Sequence, residues 1–219
     1  NPEDSVALHV ADTLAAGAGL TLEAPTERIV AGGWPAVSAL VDWGARFDRG
    51  ADGRFLRTRE GGHSVRRIIH AGGDATGAQV QAALSAAVAQ APITMIHRAL
   101  ATEILLAGGT AAGVAYRDAA GETSVVRART VLLATGGLGH VYAATTNPSG
   151  ATGDGLAVAL RAGAVVADLE FVQFHPTMLH VPGARGRRTL VSEAVRGEGG
   201  VLVDADGASV TAGVHPLGD

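Results

Sequence analysis

Residues 131–139 read Val-Leu-Leu-Ala-Thr-Gly-Gly-Leu-Gly, an apolar run followed at once by glycines. The apolar part, residues 131–134, predicts a strand covered on both faces, as in a sheet flanked by helices. Glycines directly after such a strand let a ligand lie against the backbone, because they have no Cβ. Tight turns also require glycine, so this segment alone fits either a ligand loop or an ordinary turn.

Helices and short strands are predicted upstream of this run. Apolar residues recur at helical spacing in four segments, and proline or glycine marks several of their ends. Between residues 101 and 130, short strand patterns are separated by glycine turns, which is typical of a β-meander. Together these patterns predict an α/β fold with helices at 4–16, from 21 or 25 to 31, at 35–43 and from 72–74 to about 90, and strands at 68–70, 93–96, 103–106, 112–117 and 123–129.

The composition of the 219 residues limits the function. The net charge is −4, and the sequence contains 31 glycines, 17% charged residues and no cysteine. A basic surface for nucleic acid is therefore not expected, and neither disulfides nor thiolate metal sites can form. Small side chains favour a binder of nucleotide-type ligands. No signal peptide or membrane-length apolar run is present, so we expect a soluble, cytoplasmic protein without a metal site.

A second informative stretch, residues 165–177, reads Val-Val-Ala-Asp-Leu-Glu-Phe-Val-Gln-Phe-His-Pro-Thr. It predicts a buried strand that ends in polar residues, because Pro176 cannot donate a ladder hydrogen bond. Side chains alternate along a strand, so Phe171, Gln173 and His175 would share one face. That face is either the wall of a pocket or the surroundings of a satisfied core histidine.

Two polar segments leave their roles open. The glycine-rich loop at 145–153 leads into a short helix, whose first amide groups can hold an anion or a polar ligand oxygen. There Asp154 is either the helix N-cap or a partner of a ribityl or ribose hydroxyl. The loop at 46–67 is too polar for a core and is either part of a site or a solvated loop.

A short helical pattern at 192–196 places three polar side chains within reach of one another. Arg196 can meet Glu193 and Ser192 at i,i+3 and i,i+4 spacing. The three residues fit an acid–base relay or an ordinary surface salt bridge.

The order and spacing of several motifs resemble the flavoprotein family of succinate dehydrogenase and fumarate reductase. The resemblance covers essentially the whole chain. Within the family, the loop around Glu60 resembles the branch that oxidises L-aspartate. The motifs are Ala-Thr-Gly-Gly at 134–137, Thr-Gly-Asp-Gly at 152–155, Glu-Phe-Val-Gln-Phe-His-Pro-Thr at 170–177, Glu-Ala-Val-Arg-Gly-Glu-Gly at 193–199, Arg-Glu-Gly-Gly-His-Ser at 59–64, Arg-Ile-Ile-His-Ala at 67–71 and Asp-Ala-Thr-Gly at 74–77.

The resemblance implies an FAD enzyme that converts L-aspartate to iminoaspartate in quinolinate and NAD synthesis. Oxygen or fumarate would reoxidise the flavin, and quinolinate synthase is a candidate partner. Glu60 would orient the substrate amino group, and Glu193 and Arg196 would relay protons. The implied residue sets are Thr135, Gly136, Gly137 and Asp154 for FAD; Glu60, Gln173, His175 and Ser192 for the substrate; and Glu193, Arg196 and His175 for catalysis.

The same resemblance implies an FAD-binding, Rossmann-like domain of the glutathione-reductase type over residues 1–169. Residues 170–219 would begin an α+β capping domain. The family's Gly-x-Gly-x-x-Gly loop for the FAD pyrophosphate is absent from this sequence, as are its later catalytic arginine and carboxylate-binding residues. We therefore expect an internal piece of a longer enzyme that does not turn over alone.

Two alternatives stay open at this point. The chain could come from the flavoprotein subunit of a fumarate reductase or succinate dehydrogenase, for which the loop around Glu60 is the discriminating feature. In a different class, it could be a non-catalytic binding or assembly module, which the absent dinucleotide loop favours. Retention of Gln173, His175, Glu193 and Arg196 together weighs against a pure scaffold.

Overall fold

The computed structural model describes residues 2–73, 75–175, 177–192, 195 and 199–213. These residues divide into two compact units. The first unit contains the described residues up to Ile93 together with those from Ser192 onwards, and the second contains Thr94–Val191. The boundary predicted between residues 169 and 170 separates an FAD-binding domain from a capping domain, and it stays a prediction.

Four helices in the first unit confirm the helices expected from the apolar spacing. The first helix begins where the Ser5 hydroxyl accepts a hydrogen bond from the Leu8 amide at 3.1 Å, which satisfies one free amide of the first turn. No helix in the described ranges is long and apolar enough to cross a membrane. The helices are α1 (Val6–Ala16), α2 (Glu23–Ala31), α3 (Gly33–Asp42) and α4 (Thr76–Gln90).

The core of the first unit lies between α3, α4 and a short hairpin. Strands β1 (Arg57–Thr58) and β2 (Ile68–Ile69) pair antiparallel, and β2 matches the short strand predicted at 68–70. Small residues allow the elements to approach closely, and Ala71 is completely buried. The buried cluster consists of Ala45, Phe47, Ala71 and Ala83, with Val37, Leu40, Val41, Phe55, Ile69 and Val80 packed against it.

The predicted β-meander forms the sheet of the second unit. Its strands lie in the order β3-β4-β5, and both pairs are antiparallel. A Cβ at Gly113 in β4 would collide with the carbonyl oxygen of Val126, so glycine is required for this close approach. The strands are β3 (Leu100–Ala107), β4 (Thr110–Arg117) and β5 (Thr123–Arg127).

A helix and a small parallel pair complete the second unit. Helix α5 (Asp154–Arg161) lies against β3, and Arg161 donates a hydrogen bond to the Thr102 carbonyl at 3.0 Å. Strands β6 (Ala144–Thr145) and β7 (Gly186–Arg187) pair in parallel. A 3-10 turn at Gly139–Val141 connects the glycine loop to β6.

Two predicted strands are wrong. Residues 93–96 and 131–134 have no regular secondary structure, and Leu132 is 88% exposed. An apolar run becomes a strand only when a neighbouring backbone pairs with its amide and carbonyl groups. No described strand pairs with either run. Apolar composition alone was therefore insufficient to predict a strand.

The buried strand predicted at 165–177 is also wrong. Asp168 adopts a left-handed φ of +58°, and the Phe171 amide donates to the Asp168 carbonyl at 3.1 Å, which makes a turn where the strand was expected. Val165 is 98% exposed. Residues 171–175 have no regular secondary structure, and Phe171 and Gln173 are exposed, so the buried face predicted for Phe171, Gln173 and His175 does not form. Pro176 lies outside the described residues.

Candidate functional site

The glycine loop at 135–139 is joined to the start of α5, as a ligand loop would require. The Gly153 amide donates to the Gly137 carbonyl at 3.2 Å, and the His140 amide donates to the Ala151 carbonyl at 2.8 Å. Gly153, the residue before α5, has a left-handed φ of +79° that glycine adopts at little cost. The two segments that were predicted separately thus form one local structure.

The surface beside this loop is open. Gly136 has a φ of +71°, and no atom of the described residues lies within 4 Å of the position that a Cβ would take on Gly136 or Gly137. In contrast, a Cβ on Gly155 would collide with the side chain of Thr135. The loop therefore packs against α5 through Thr135 and leaves the backbone of the two glycines accessible to a ligand.

Asp154 is the first residue of α5 and not its N-cap, which is Gly153. Its Oδ2 accepts a hydrogen bond from the Thr152 hydroxyl at 2.6 Å. A carboxylate can accept several hydrogen bonds, so the exposed Asp154 retains capacity for a ligand hydroxyl. This result removes the N-cap alternative and leaves the ligand role as a prediction.

His175 is half-buried and has a defined tautomer. Its Nδ1 lies 3.2 Å from the Thr177 amide, which donates to it, while the Thr177 hydroxyl donates to the Val191 carbonyl at 2.8 Å. An Nδ1 that accepts a hydrogen bond carries no proton, so the neutral ring carries its proton on Nε2. His175 can therefore donate from Nε2 to a carboxylate.

The other predicted substrate and catalytic residues differ in their surroundings. Gln173 is exposed and lies in the same unit as His175, whereas Ser192 is half-buried and belongs to the first unit. The Ser192 carbonyl accepts a hydrogen bond from the Val195 amide at 3.1 Å. Glu193 and Arg196 lie outside the described residues, so the predicted relay stays a prediction.

Glu60 begins a tight turn in the first unit. Its carbonyl accepts a hydrogen bond from the His63 amide at 3.2 Å, and Gly62 has a φ of +77°. A positive φ at the third position of such a turn is the reason for glycine there. The Glu60 side chain is half-buried, and no described residue is bonded to its carboxylate. The carboxylate is thus available to a cationic group.

An ion-pair network directly follows this turn, and the sequence analysis did not predict it. Arg67 forms a bidentate pair with Asp4, at 2.8 Å from Nη2 and 3.1 Å from Nε, and donates from Nη1 to Asp12 at 2.6 Å. The Arg67 side chain is only 5% exposed. Arg67 Nη1 also lies 3.1 Å from Nδ1 of His63. The only sequence signal for this network was the presence of one aspartate in α1 and another directly before its N-cap.

Charges in this network shift the pKa values of its members. Burial alone raises the pKa values of Asp4 and Asp12, but hydrogen bonds from Arg67 to both, and from Ser64 to Asp12, outweigh it and hold both below the usual range. Burial lowers the pKa of His9, and the charge of Arg67 lowers it further. The network is therefore a cation between two carboxylates beside a neutral imidazole at pH 7.

Asp48 and His70 form a second unpredicted cluster. Asp48 accepts hydrogen bonds from the amides of Gly72 and Gly73 at 3.0 and 3.1 Å and lies 2.9 Å from His70 Nδ1. The two amides, with the imidazole, hold the pKa of Asp48 below its usual value. This cluster fixes the connection from β2 to α4.

A mixed helix and strand fold with a glycine loop on a helix N-terminus defines a class of nucleotide-cofactor proteins. The model of the FAD binding domain family matches residues 1–217, and the chain belongs to that family.

The relatives agree with the resemblance seen in the motifs. L-aspartate oxidase of Mycobacterium tuberculosis is 57% identical over 219 residues, which cover 99% of this chain and 41% of that protein. Escherichia coli quinol fumarate reductase matches with a TM-score of 0.85 and 32% identity over 94% of this chain and 34% of the other. Mycobacterium smegmatis Sdh1 matches with a TM-score of 0.80 and 35% identity over 94% of this chain and 36% of that chain. The chain thus spans about two fifths of the length of the curated relatives.

The described residues fit the FAD that this family binds. The accessible backbone of Gly136 and Gly137 suits a flat ring or a sugar–phosphate chain. Asp154, at the start of α5, supplies an acceptor for a hydroxyl of the cofactor. These residues would hold part of FAD, and they carry no charge that would oppose its binding except the carboxylate of Asp154.

Proposed function

We propose that this chain is part of an L-aspartate oxidase, an FAD-dependent oxidoreductase that converts L-aspartate to iminoaspartate for quinolinate and NAD synthesis. The observation that carries the proposal is the 57% identity to such an oxidase along 99% of the chain. Bound FAD supplies the hydride acceptor. Oxygen or fumarate then accepts the electrons, and quinolinate synthase is the candidate partner that uses the product.

In this proposal, Glu60 recognises the ammonium group of the substrate. Aspartate differs from succinate by one cationic amino group, and a carboxylate that is half-buried attracts a cation more strongly than one in water. Among the described residues, no ion pair with the Glu60 carboxylate would have to be broken by the substrate. Glu60 would therefore select an amino acid over a plain dicarboxylate.

His175 binds a substrate carboxylate in this proposal. Its Nε2 carries the donatable proton because Thr177 donates to Nδ1. Gln173 and Ser192 add hydrogen bonds that orient the substrate. Glu193 and Arg196 are proposed to relay protons, and this part rests on the resemblance in the motif at 193–199.

The finer description of the fold is also proposed. We infer a glutathione-reductase type of FAD-binding domain up to residue 169 and the start of a capping domain from residue 170. The cytoplasmic location belongs to the same proposal.

A fumarate reductase or succinate dehydrogenase flavoprotein is the second candidate function. The TM-scores of 0.85 and 0.80 to a fumarate reductase and to Sdh1 favour it. Their sequence identities of 32% and 35% are well below the 57% to the oxidase, which is why the oxidase is preferred.

The experiment that tests the proposal starts from the full-length protein purified from its source. We expect a yellow protein with a mass of more than about twice the 21.9 kDa of this chain, because this chain covers only 41% of the length of the matched oxidase. It should consume L-aspartate. A protein of the chain's own mass without flavin absorbance would instead support a non-catalytic module.

Replacement of Glu60 by glutamine tests the substrate preference. Loss of the carboxylate should lower kcat/KM for L-aspartate about 30-fold, the value of one charge-assisted interaction, and change fumarate reduction less than about threefold. Steady-state kinetics with both substrates measures the two effects. Equal losses on both substrates would count against an ammonium-binding role for Glu60.

A further inference from the structure

The carboxylate of Asp12 accepts hydrogen bonds from Ser64 and Arg67, which lie more than 50 positions later in the sequence. Its Oδ2 accepts hydrogen bonds from the Ser64 amide at 2.9 Å, the Ser64 hydroxyl at 2.8 Å and Arg67 Nη1 at 2.6 Å. The Asp12 side chain is only 14% exposed. Hydrogen bonds to a carboxylate with little access to water are stronger than those on an open surface. Asp12 therefore fastens residues 64–67 to helix α1.

The segment that Asp12 holds begins one residue after the Glu60–His63 turn. The turn itself lies against the end of the same helix, because a Cβ on Gly62 would be in ordinary contact, at 3.4 Å, with the Cβ of Ala16. The helix thus touches the turn at its end and holds the following residues from its middle. A turn restrained at both places has little freedom to move relative to α1.

Arg67 extends the restraint towards the start of the helix. It joins Asp12 to Asp4, and its Nη1 meets His63, the last residue of the turn. The rings of His63 and His9 pack edge to face with centroids 5.4 Å apart. Every one of these contacts lies within the first unit. These contacts therefore position the turn against α1 within the first unit.

We propose that Asp12 is a positioning residue for Glu60. It touches neither cofactor nor substrate in this role; it sets where α1 holds the Glu60 turn, and so determines how well the Glu60 carboxylate meets the substrate ammonium group. The inference rests on the proposed function of Glu60. It adds a specificity-determining residue, because misplacing Glu60 affects aspartate but not a substrate without an amino group.

The test uses the full-length FAD-loaded enzyme with the substitution Asp12→Asn. The amide removes the charge and weakens the bonds to Ser64 and Arg67, so we expect KM for L-aspartate to rise about tenfold with a smaller change in kcat. Fumarate reduction should change less than about twofold. A uniform loss on both substrates would show a general structural role and overturn the proposal.

The double variant with Glu60→Gln separates this inference from the proposed function. If Asp12 acts through Glu60, the Asp12→Asn substitution should change KM for L-aspartate less than about twofold once Glu60 is glutamine. Additive effects would overturn the positioning role while leaving Glu60 in its function. If Glu60→Gln alone lowers the rates with L-aspartate and with fumarate equally, the proposed role of Glu60 fails, and the positioning role fails with it.

Two further variants provide controls. Asp118 accepts hydrogen bonds from the amides of Ala120 and Glu122 at 2.9 and 3.0 Å, so Asp118→Asn removes a similar carboxylate at an exposed turn and should leave KM unchanged. Ser64→Ala removes only the hydroxyl bond at an exposed residue and should raise KM for aspartate about threefold. If the Asp12→Asn enzyme does not fold, the Ser64→Ala variant tests the positioning role instead. An unchanged KM for aspartate in a folded Ser64→Ala enzyme would overturn the proposal.

Discussion

The loop at residues 60–67 and the segment at residues 165–175 both lack regular secondary structure, but different interactions hold them. The loop is fixed by Arg67, whose side chain is 5% exposed between the carboxylates of Asp12 in α1 and Asp4 directly before its N-cap. The segment has a local turn at Asp168, an edge-to-face contact between Phe174 and Tyr142 with centroids 5.2 Å apart, and a hydrogen bond from the Thr177 amide to His175. A polar sequence can thus be more firmly fixed than an apolar one, because ion pairs and hydrogen bonds need only a few well-placed partners.

The strongest test of this difference is His175→Ala, which removes the proposed carboxylate donor from the less restrained segment. We expect kcat/KM for L-aspartate to fall about 100-fold, with a higher KM and a lower kcat, because a charge-assisted hydrogen bond is lost. Steady-state kinetics measures the loss. The exposed His180 serves as the matched control, and His180→Ala should leave both constants unchanged. An unchanged KM in His175→Ala would show that this histidine only packs.

Arg67→Ala tests how firmly the polar loop is held. Removing the cation leaves Asp4 and Asp12 facing each other with little water, which should destabilise the protein by about 2 kcal/mol, between the values for exposed and fully buried pairs. Thermal unfolding of the holoenzyme measures the change. Arg54 is the control, since it lies 3.8 Å from Asp52 with 84% of its side chain exposed. If Arg67→Ala lowers the stability as little as Arg54→Ala does, the loop at residues 60–67 is not held more firmly than the segment at residues 165–175.

The pH dependence of stability provides a smaller test. Because the folded-state pKa values of Asp4 and Asp12 are lowered, their contribution is present above the unfolded value near 3.9 and is lost as pH falls through the folded values. The difference in Tm between the wild type and Arg67→Ala should therefore shrink below about pH 4. His9 adds an earlier loss: its folded pKa is also lowered, so stability declines as pH falls below about 6.5. A difference in Tm that is constant from pH 7 to pH 3 would contradict the assigned charges.

Sequence patterns predicted the elements whose interactions are local. The helical spacing of the apolar residues predicted the helix at 4–16, which the structure shows as α1. The glycine turns predicted the meander. Both depend on residues that lie close together in the chain, so the sequence carried the necessary information.

Long-range interactions explain the failures. Residues 131–134 have the composition of a buried strand, but a strand also needs a paired neighbour that composition cannot reveal. The bond between Asp12 and Ser64 joins residues 52 positions apart, and no local pattern indicates it. For the candidate site, motif resemblance selected Glu60 and His175, while the turn and the tautomer that prepare them became visible only in the structure.

The ion pair between Arg67 and Asp4 also has a consequence for folding kinetics. It joins residues 63 positions apart, so it forms only after the chain has closed a long loop, which costs conformational entropy. A contact that closes so long a loop is expected to form late in folding, because the entropy cost of closure comes first. Its main kinetic effect would then be to slow unfolding of the first unit, with little change in the folding rate.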